Sequence, residues 1–421
     1  MIIQIPENAK KIIETLEQNG YETYIVGGCV RDAILQKTPM DWDITTSAKP
    51  EETKKLFRRT IDTGIEHGTV TIMIGKEGYE VTTYRVDGKY EDHRRPKTVS
   101  FTANLVEDLK RRDFTMNAMA YNEKDGLQDP FLGVQDLERG LIRCVGIAEE
   151  RFDEDALRIL RALRFASQLN FAIEDETKKA MEKKRGFLTK ISVERIQVEL
   201  TKLLCSNYPE KLLEGKELGI TAIILPEFDE LLQVVDEKCL FTMLKSVRNH
   251  HILRYAVLFA YFSDPQIEKG VDQKGEEKSK KILKGLKFDN DTIKKVSRLV
   301  KYAFYPLEKQ MSMTEVRWAI YEIGVELFLL LLDMKKAMAV GFGQKEHLEH
   351  LENVEQMYHE VLEKNQCVCL KQLALNGQDL KAVGIVEGIK IGETLQKLLE
   401  TVLDDPEKNT KEKLLELINL E

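Results

Sequence analysis

Two hydrophobic periods divide the chain. Through roughly the first third, short runs rich in β-branched and aromatic residues, at 23–26, 41–46, 69–74 and 79–84, are separated by helical stretches and glycine turns. That pattern predicts a small mixed α/β domain ending near residue 145. From Glu149 the apolar residues recur at three and four: Phe152, Ala156, Ile159, Leu160, Leu163 and Ala166 form one stripe. A single amphipathic helix with one buried side is expected there. The same spacing returns at 192–205, 239–262, 292–305, 314–338 and 344–363, while the polar stretch 264–281 reads as an exposed connector. The rear of the chain is therefore expected to be all-helical, in two or three subdomains.

Composition narrows the class. At 421 residues, and roughly 150 per domain, two to four packing units are expected. A hydrophobic share of 43% against 32% charged suits a folded chain, and no apolar run approaches the roughly 18 to 20 residues that span a bilayer. No membrane partner is expected. The first twenty residues read as an amphipathic helix and not as an export signal. Six cysteines without a CxxC pair predict reduced thiols and a cytoplasmic location. The net charge of −8 argues against indiscriminate coating of nucleic acid but leaves room for local basic surfaces, such as 278–301 with nine Lys or Arg against two Asp.

The densest chemistry lies in Val26-Gly27-Gly28-Cys29-Val30-Arg31-Asp32, followed by Asp41-Trp42-Asp43. Paired glycines between strand and helix let backbone amides approach a phosphate, and Arg31 adds a cation one turn in. Asp41 and Asp43, two apart on an expected strand, leave the same face and can share divalent ions. Further on, Arg111-Arg112-Asp113-Phe114-Thr115-Met116-Asn117 offers guanidinium forks for phosphate oxygens, and an Asp and an Asn for ribose hydroxyls; a helix cap at Asp113 is the alternative. In the helix from Glu149, Glu154, Arg158, Arg161 and Phe165 share the side away from the stripe, with Asp155 at its edge and Arg164 flanking. These are either solvated ion pairs or a base-reading face. In the second case Asp155 accepts from the exocyclic amine of cytosine or adenine and, with Arg158, rejects uracil and guanine. Glu80 is a candidate third carboxylate. His67 reads as a turn residue, and His250-His251 is assigned no chemistry.

With these motifs in order, the sequence resembles the bacterial class II CCA-adding enzymes, tRNA nucleotidyltransferases of the polymerase-β superfamily. The resemblance implies an α+β chain: a five-stranded nucleotidyltransferase head over 1–145, then a helical neck at 146–205, body at 206–335 and tail at 336–421. It implies Mg²⁺ at Asp41 and Asp43, the incoming nucleotide at Gly28, Arg31 and Arg112, base reading by Asp155 and Arg158, and phosphate contacts from Arg161 and Arg164. The partners implied are CTP, ATP and tRNA, gripped at its acceptor end and, by the glycine-bearing tail from Leu375 to Gly392, at its elbow. Oligomeric state is not legible, and a homodimer is compatible with the sequence. The stretch 86–96 resembles the family's flexible loop, which favours full CCA synthesis over addition of C alone. A poly(A) polymerase or A-only adding enzyme shares the same motifs and remains an alternative. So does a noncatalytic RNA-binding or nucleotide-sensing protein on the same scaffold.

Overall fold

The computed structural model describes residues 2–88 and 98–419. The chain divides into two compact units, Met1–Glu230 and Leu231–Glu421.

In the first unit, α1 (Glu7–Gln18) buries Ala9, Ile12, Ile13 and Leu16 along one face. It leads into β1 (Thr23–Val26), buried at all four positions, then α2 (Gly28–Ile34), β2 (Ile44–Thr46) and α3 (Pro50–Leu56). Next come β3 (Thr60–Gly64), β4 (Thr69–Ile74) and β5 (Glu77–Thr83). A separate ribbon pairs β6 (Arg85–Asp87) with β7 (Val99–Phe101). From Lys89, the loop expected over 86–96 falls outside the described residues. After α4 (Leu105–Lys110), β8 (Ala120–Asn122) and β9 (Gly126–Gln128) complete a sheet ordered β3-β4-β5-β2-β1-β8-β9. β2 runs parallel to β5, with Ile44 opposite Val81, and β1 is antiparallel to β2 and β8.

The sheet thus has seven strands where five were expected. β8 and β9 are three residues each, too short for an alternation to register, and β3 is a polar edge strand.

The single helix expected from Glu149 is two helices. Past α5 (Gly133–Glu138), α6 (Ala148–Glu154) stops at Asp155, whose backbone is extended (φ −142°, ψ 101°), and α7 (Leu157–Leu169) starts two residues later. The cause is local. Asp155 Oδ1 accepts from the Leu157 amide at 3.1 Å, the kind of side-chain bond that competes with a continuous helix. The apolar stripe survives the break, with all six of its residues buried. α8 (Asp175–Lys184) packs on α6, and α9 (Val193–Leu204) on α7.

The named elements of the second unit are helical. The expected helix 239–262 is split into Glu237–Ser246 and His251–Phe259. That at 314–338 breaks at Gly324, whose φ of +97° separates Met313–Ile323 from Val325–Phe342. The expected connector 264–281 holds much of a helix, Gln273–Gly285. Its buried positions include Gly275 and Ser279, which carry no hydrophobic signal, and a Cβ on Gly275 would lie 2.2 Å from Ser263 Oγ. Close packing at Gly275 and Ser279 seats its first half, and the buried Ile282 and Leu283 continue the same face beyond the expected connector. Among the described residues, no helix is long and apolar enough to cross a membrane.

Candidate nucleotide site

Between β1 and α2 the turn demands glycine. Gly27 has φ +81°, and a Cβ there would sit 3.0 Å from Arg112 Nη1, so its absence lets that guanidinium lie against the turn. In α2, Arg31 donates to Asn117 Oδ1 at 2.7 Å and to Asp32 Oδ1 at 2.9 Å. The strand expected at 41–46 is confined to β2, so Asp41 and Asp43 precede it. The ladder still extends one step, since Val26 N donates to the Asp43 carbonyl at 3.0 Å. Continued back one step, the β2–β5 register sets Asp43 beside Glu80.

Eight of the nine residues expected from the sequence, Gly28, Arg31, Asp41, Asp43, Arg112, Arg158, Arg161 and Arg164, line one cavity of about 620 Å³. Seven cationic side chains and three carboxylates line it in all, Arg111, Lys202 and Asp113 included. Such an excess of positive charge favours a polyanion.

So many like charges need anchors. The buried Phe165 ring lies under three guanidiniums, with Arg164 at 3.9 Å, Arg31 at 5.1 Å and Arg161 at 5.4 Å from its centroid. Asp113 accepts from Arg161 Nε at 2.7 Å, Asn117 Nδ2 at 3.1 Å and the Phe114 amide at 2.8 Å. Burial alone would raise its pKa, but the Arg161 charge and the Asn117 amide outweigh burial and bring it to about 2. Asp113 is therefore a tie between α7 and the loop after α4, not a helix cap. Arg164 pairs with the buried Glu199 at 2.5 Å, and Arg158 donates to Glu154 at 2.6 Å and to the Arg111 carbonyl at 2.9 Å. Arg111 and Arg112 pair with the buried Asp108. Arg158, Arg164 and Phe165 are only 9%, 8% and 4% exposed, so this is a cavity wall and not a solvated helix face.

The ninth residue, Asp155, is not among the lining residues. Its carboxylate accepts from the Leu157 amide at the start of α7 and is held by Arg195 of α9, at 2.7 Å and 3.2 Å. Periodicity missed this because the competing partner lies 40 residues away. Asp108, Glu199 and Lys202 were also missing from the expected site. Only Asp108 carried a readable signal, standing three and four residues before the two arginines.

Asp41 and Asp43 also line a second cavity, of about 840 Å³, together with Glu7, Glu77 and Glu80 and no cationic side chain. The aspartate pair thus stands in a wall with cations on one side and carboxylates alone on the other. The recess around Asp43 raises its pKa by desolvation; Arg112 opposes that, and the charges of Glu80 and Asp41 reinforce it. Among the described residues, no three His, Cys, Asp or Glu side chains are arranged to hold a metal. The donor set nevertheless fits Mg²⁺, which commonly takes one or two carboxylates and completes its shell with substrate phosphates and water. The crowded negative charge around Asp43 is the observation that supports the fit.

Comparison with known proteins agrees with this geometry. A model described as "Poly A polymerase head domain" matches residues 23–143, and one for tRNA nucleotidyltransferase domain 2 matches 272–418. The CCA-adding enzyme of Lactiplantibacillus plantarum is 37% identical over 100% of this chain and 98% of its own length. That of Levilactobacillus brevis is 39% identical over 97% and 96%. The crystal structure of the Bacillus stearothermophilus CCA-adding enzyme in complex with CTP matches with a TM-score of 0.79 and 30% identity, over 99% of each chain. Extended identity of this order, over a shared fold, places the chain among the bacterial class II CCA-adding enzymes, the tRNA nucleotidyltransferases of the polymerase-β superfamily.

Proposed function

We propose that this enzyme's template-independent addition of C, C and A to the 3′ end of tRNA, from CTP and ATP, runs in the arginine-lined cavity across the Asp41–Asp43 wall. The observation that carries this reading is that both aspartates line the same cavity as Arg31, Arg112, Arg158, Arg161 and Arg164. Arg31, Arg112, Arg161 and Arg164 receive the triphosphate, and the amide turn at Gly28 approaches it closely. As the 3′-hydroxyl bonds to the α-phosphorus and the bond to pyrophosphate breaks, these guanidiniums meet the charge growing on the leaving group. Asp41 and Asp43 would hold Mg²⁺, which when bound would supply charge neutralisation to the transfer.

Arg158, fixed by Glu154 and the Arg111 carbonyl, faces the base. Asp155 joins it only where its pair with Arg195 opens. The carboxylate-lined recess on the other side of the wall suits the acceptor's terminal ribose, since it offers hydrogen-bond acceptors to hydroxyls and repels phosphates. Six cysteines without a CxxC pair support a reducing, cytoplasmic setting.

The test uses tRNA lacking its last three nucleotides and each labelled triphosphate separately. The wild type is expected to incorporate CTP, which a poly(A) polymerase or A-only enzyme would not, and then ATP. Asp41→Ala and Asp43→Ala are each expected to lower transfer on the order of 10³-fold while leaving tRNA binding intact. Substantial residual transfer in either variant would overturn the catalytic assignment.

A further inference from the structure

The reading of the cavity above gives no role to Asp108, yet its carboxylate accepts from five donors, three of them on the cavity-lining Arg111 and Arg112. Its side chain is fully buried on α4. Oδ1 accepts from Arg111 Nε at 2.9 Å, Arg111 Nη2 at 2.8 Å and the Arg85 amide at 3.3 Å. Oδ2 accepts from Arg112 Nη2 and from Thr45 Oγ1, both at 3.4 Å. These donors come from distinct places. Thr45 is on β2, two residues beyond Asp43, Arg85 opens β6, and Arg111 and Arg112 line the cavity.

The contacts continue outward. The Arg111 carbonyl accepts from Arg158 Nη2 at 2.9 Å, and the Lys110 carbonyl from Arg151 Nη1 at 3.2 Å. Both of those arginines pair with Glu154. An ion pair serving stability alone needs one partner, whereas this carboxylate joins the strand behind the aspartates to the arginines ahead of them. A charge-assisted fork from Arg111 and a second arginine on the other oxygen leave it little freedom to reorient.

We propose that Asp108 is a positioning residue for nucleotide transfer. It fixes Arg112 against the Gly27 turn and, through the Arg111 main chain, fixes Arg158, so that the grip on the triphosphate and the choice of base depend on one carboxylate. The proposal rests on reading the cavity as the nucleotide site.

Asp108→Asn keeps the size and one acceptor oxygen but removes the charge. With tRNA lacking CCA, the variant is expected to raise KM for CTP about tenfold and the ratio of UTP to CTP incorporated about fivefold. In an Arg112→Ala background the same change is expected to move KM by less than about twofold, because the group through which it acts is gone. A folded Asp108→Asn protein with wild-type KM and nucleotide preference overturns the proposal. Equal loss of rate with both natural triphosphates, at unchanged KM and preference, marks a merely structural role and overturns it too. Thermal unfolding followed by circular dichroism reports folding. If Asp108→Asn does not fold, Arg111→Lys, which keeps a cation but removes the two-donor fork, is compared in its place with the same outcomes. An Arg112→Ala enzyme with wild-type KM is a different result: it removes the nucleotide-site reading, and this proposal with it.

Discussion

Held by Arg161 and Asn117 against the cost of its own burial, the Asp113 carboxyl ionises near pH 2, below the ordinary 3.8. A depressed folded-state pKa stabilises the fold above the unfolded value and loses that effect as the pH falls through the folded one. Asp113→Asn is therefore expected to cost about 2 kcal/mol at pH 7, a difference that shrinks between about pH 4 and pH 2. Urea unfolding of both proteins across that window measures it, and a gap independent of pH would show that the loss is not electrostatic. At this scale the sequence discloses groups whose partners are a few residues away. Gly27, Arg31, Asp41 and Asp43 announce themselves by spacing. The tie from Arg31 to Asn117 spans 86 positions, and that from Arg161 to Asp113 spans 48. No local pattern encodes either one, so a helix cap stayed open as the alternative for Asp113.

The strand–turn–helix of β1 and α2 concentrates two constraints in Gly27. A methyl group there would force a left-handed backbone on alanine and press on Arg112 Nη1. Gly27→Ala is expected to destabilise the protein by about 1–2 kcal/mol and to raise KM for both triphosphates about tenfold as Arg112 is displaced. Thermal melts and initial rates test it, and an unchanged KM would mean that Arg112 does not contact the nucleotide. The elements themselves were legible where period and length cooperated, as in α1 and the apolar stripe through α6 and α7. They were hidden where another force decided. Hydrogen bonding by Asp155 ends a helix that periodicity would have continued, and Gly275 and Ser279 seat a helix in a stretch that looked like linker.

For the molecule as a whole, Met1–Glu230 is a compact unit that contains every lining residue of both cavities at the aspartate wall. A fragment of residues 1–235, which keeps the helix Pro226–Leu231 intact, is expected to unfold cooperatively and to bind CTP within about threefold of the full chain. Its transfer to tRNA should fall further, because the resemblance assigns the elbow grip to the tail. Calorimetric titration and transfer rates separate the two, and a fragment that fails to bind CTP would show that the site needs the second unit. The chain's overall negative balance gave no hint of this division of labour, since the charge that counts is local. The consequence of the two-faced wall reaches past the chemistry of one step. On the proposed reading, the free triphosphate, with its dense negative charge, is drawn to the cation-lined cavity and repelled from the carboxylate-lined one. Charge alone, on that reading, sends the donor to its own cavity before its base is inspected.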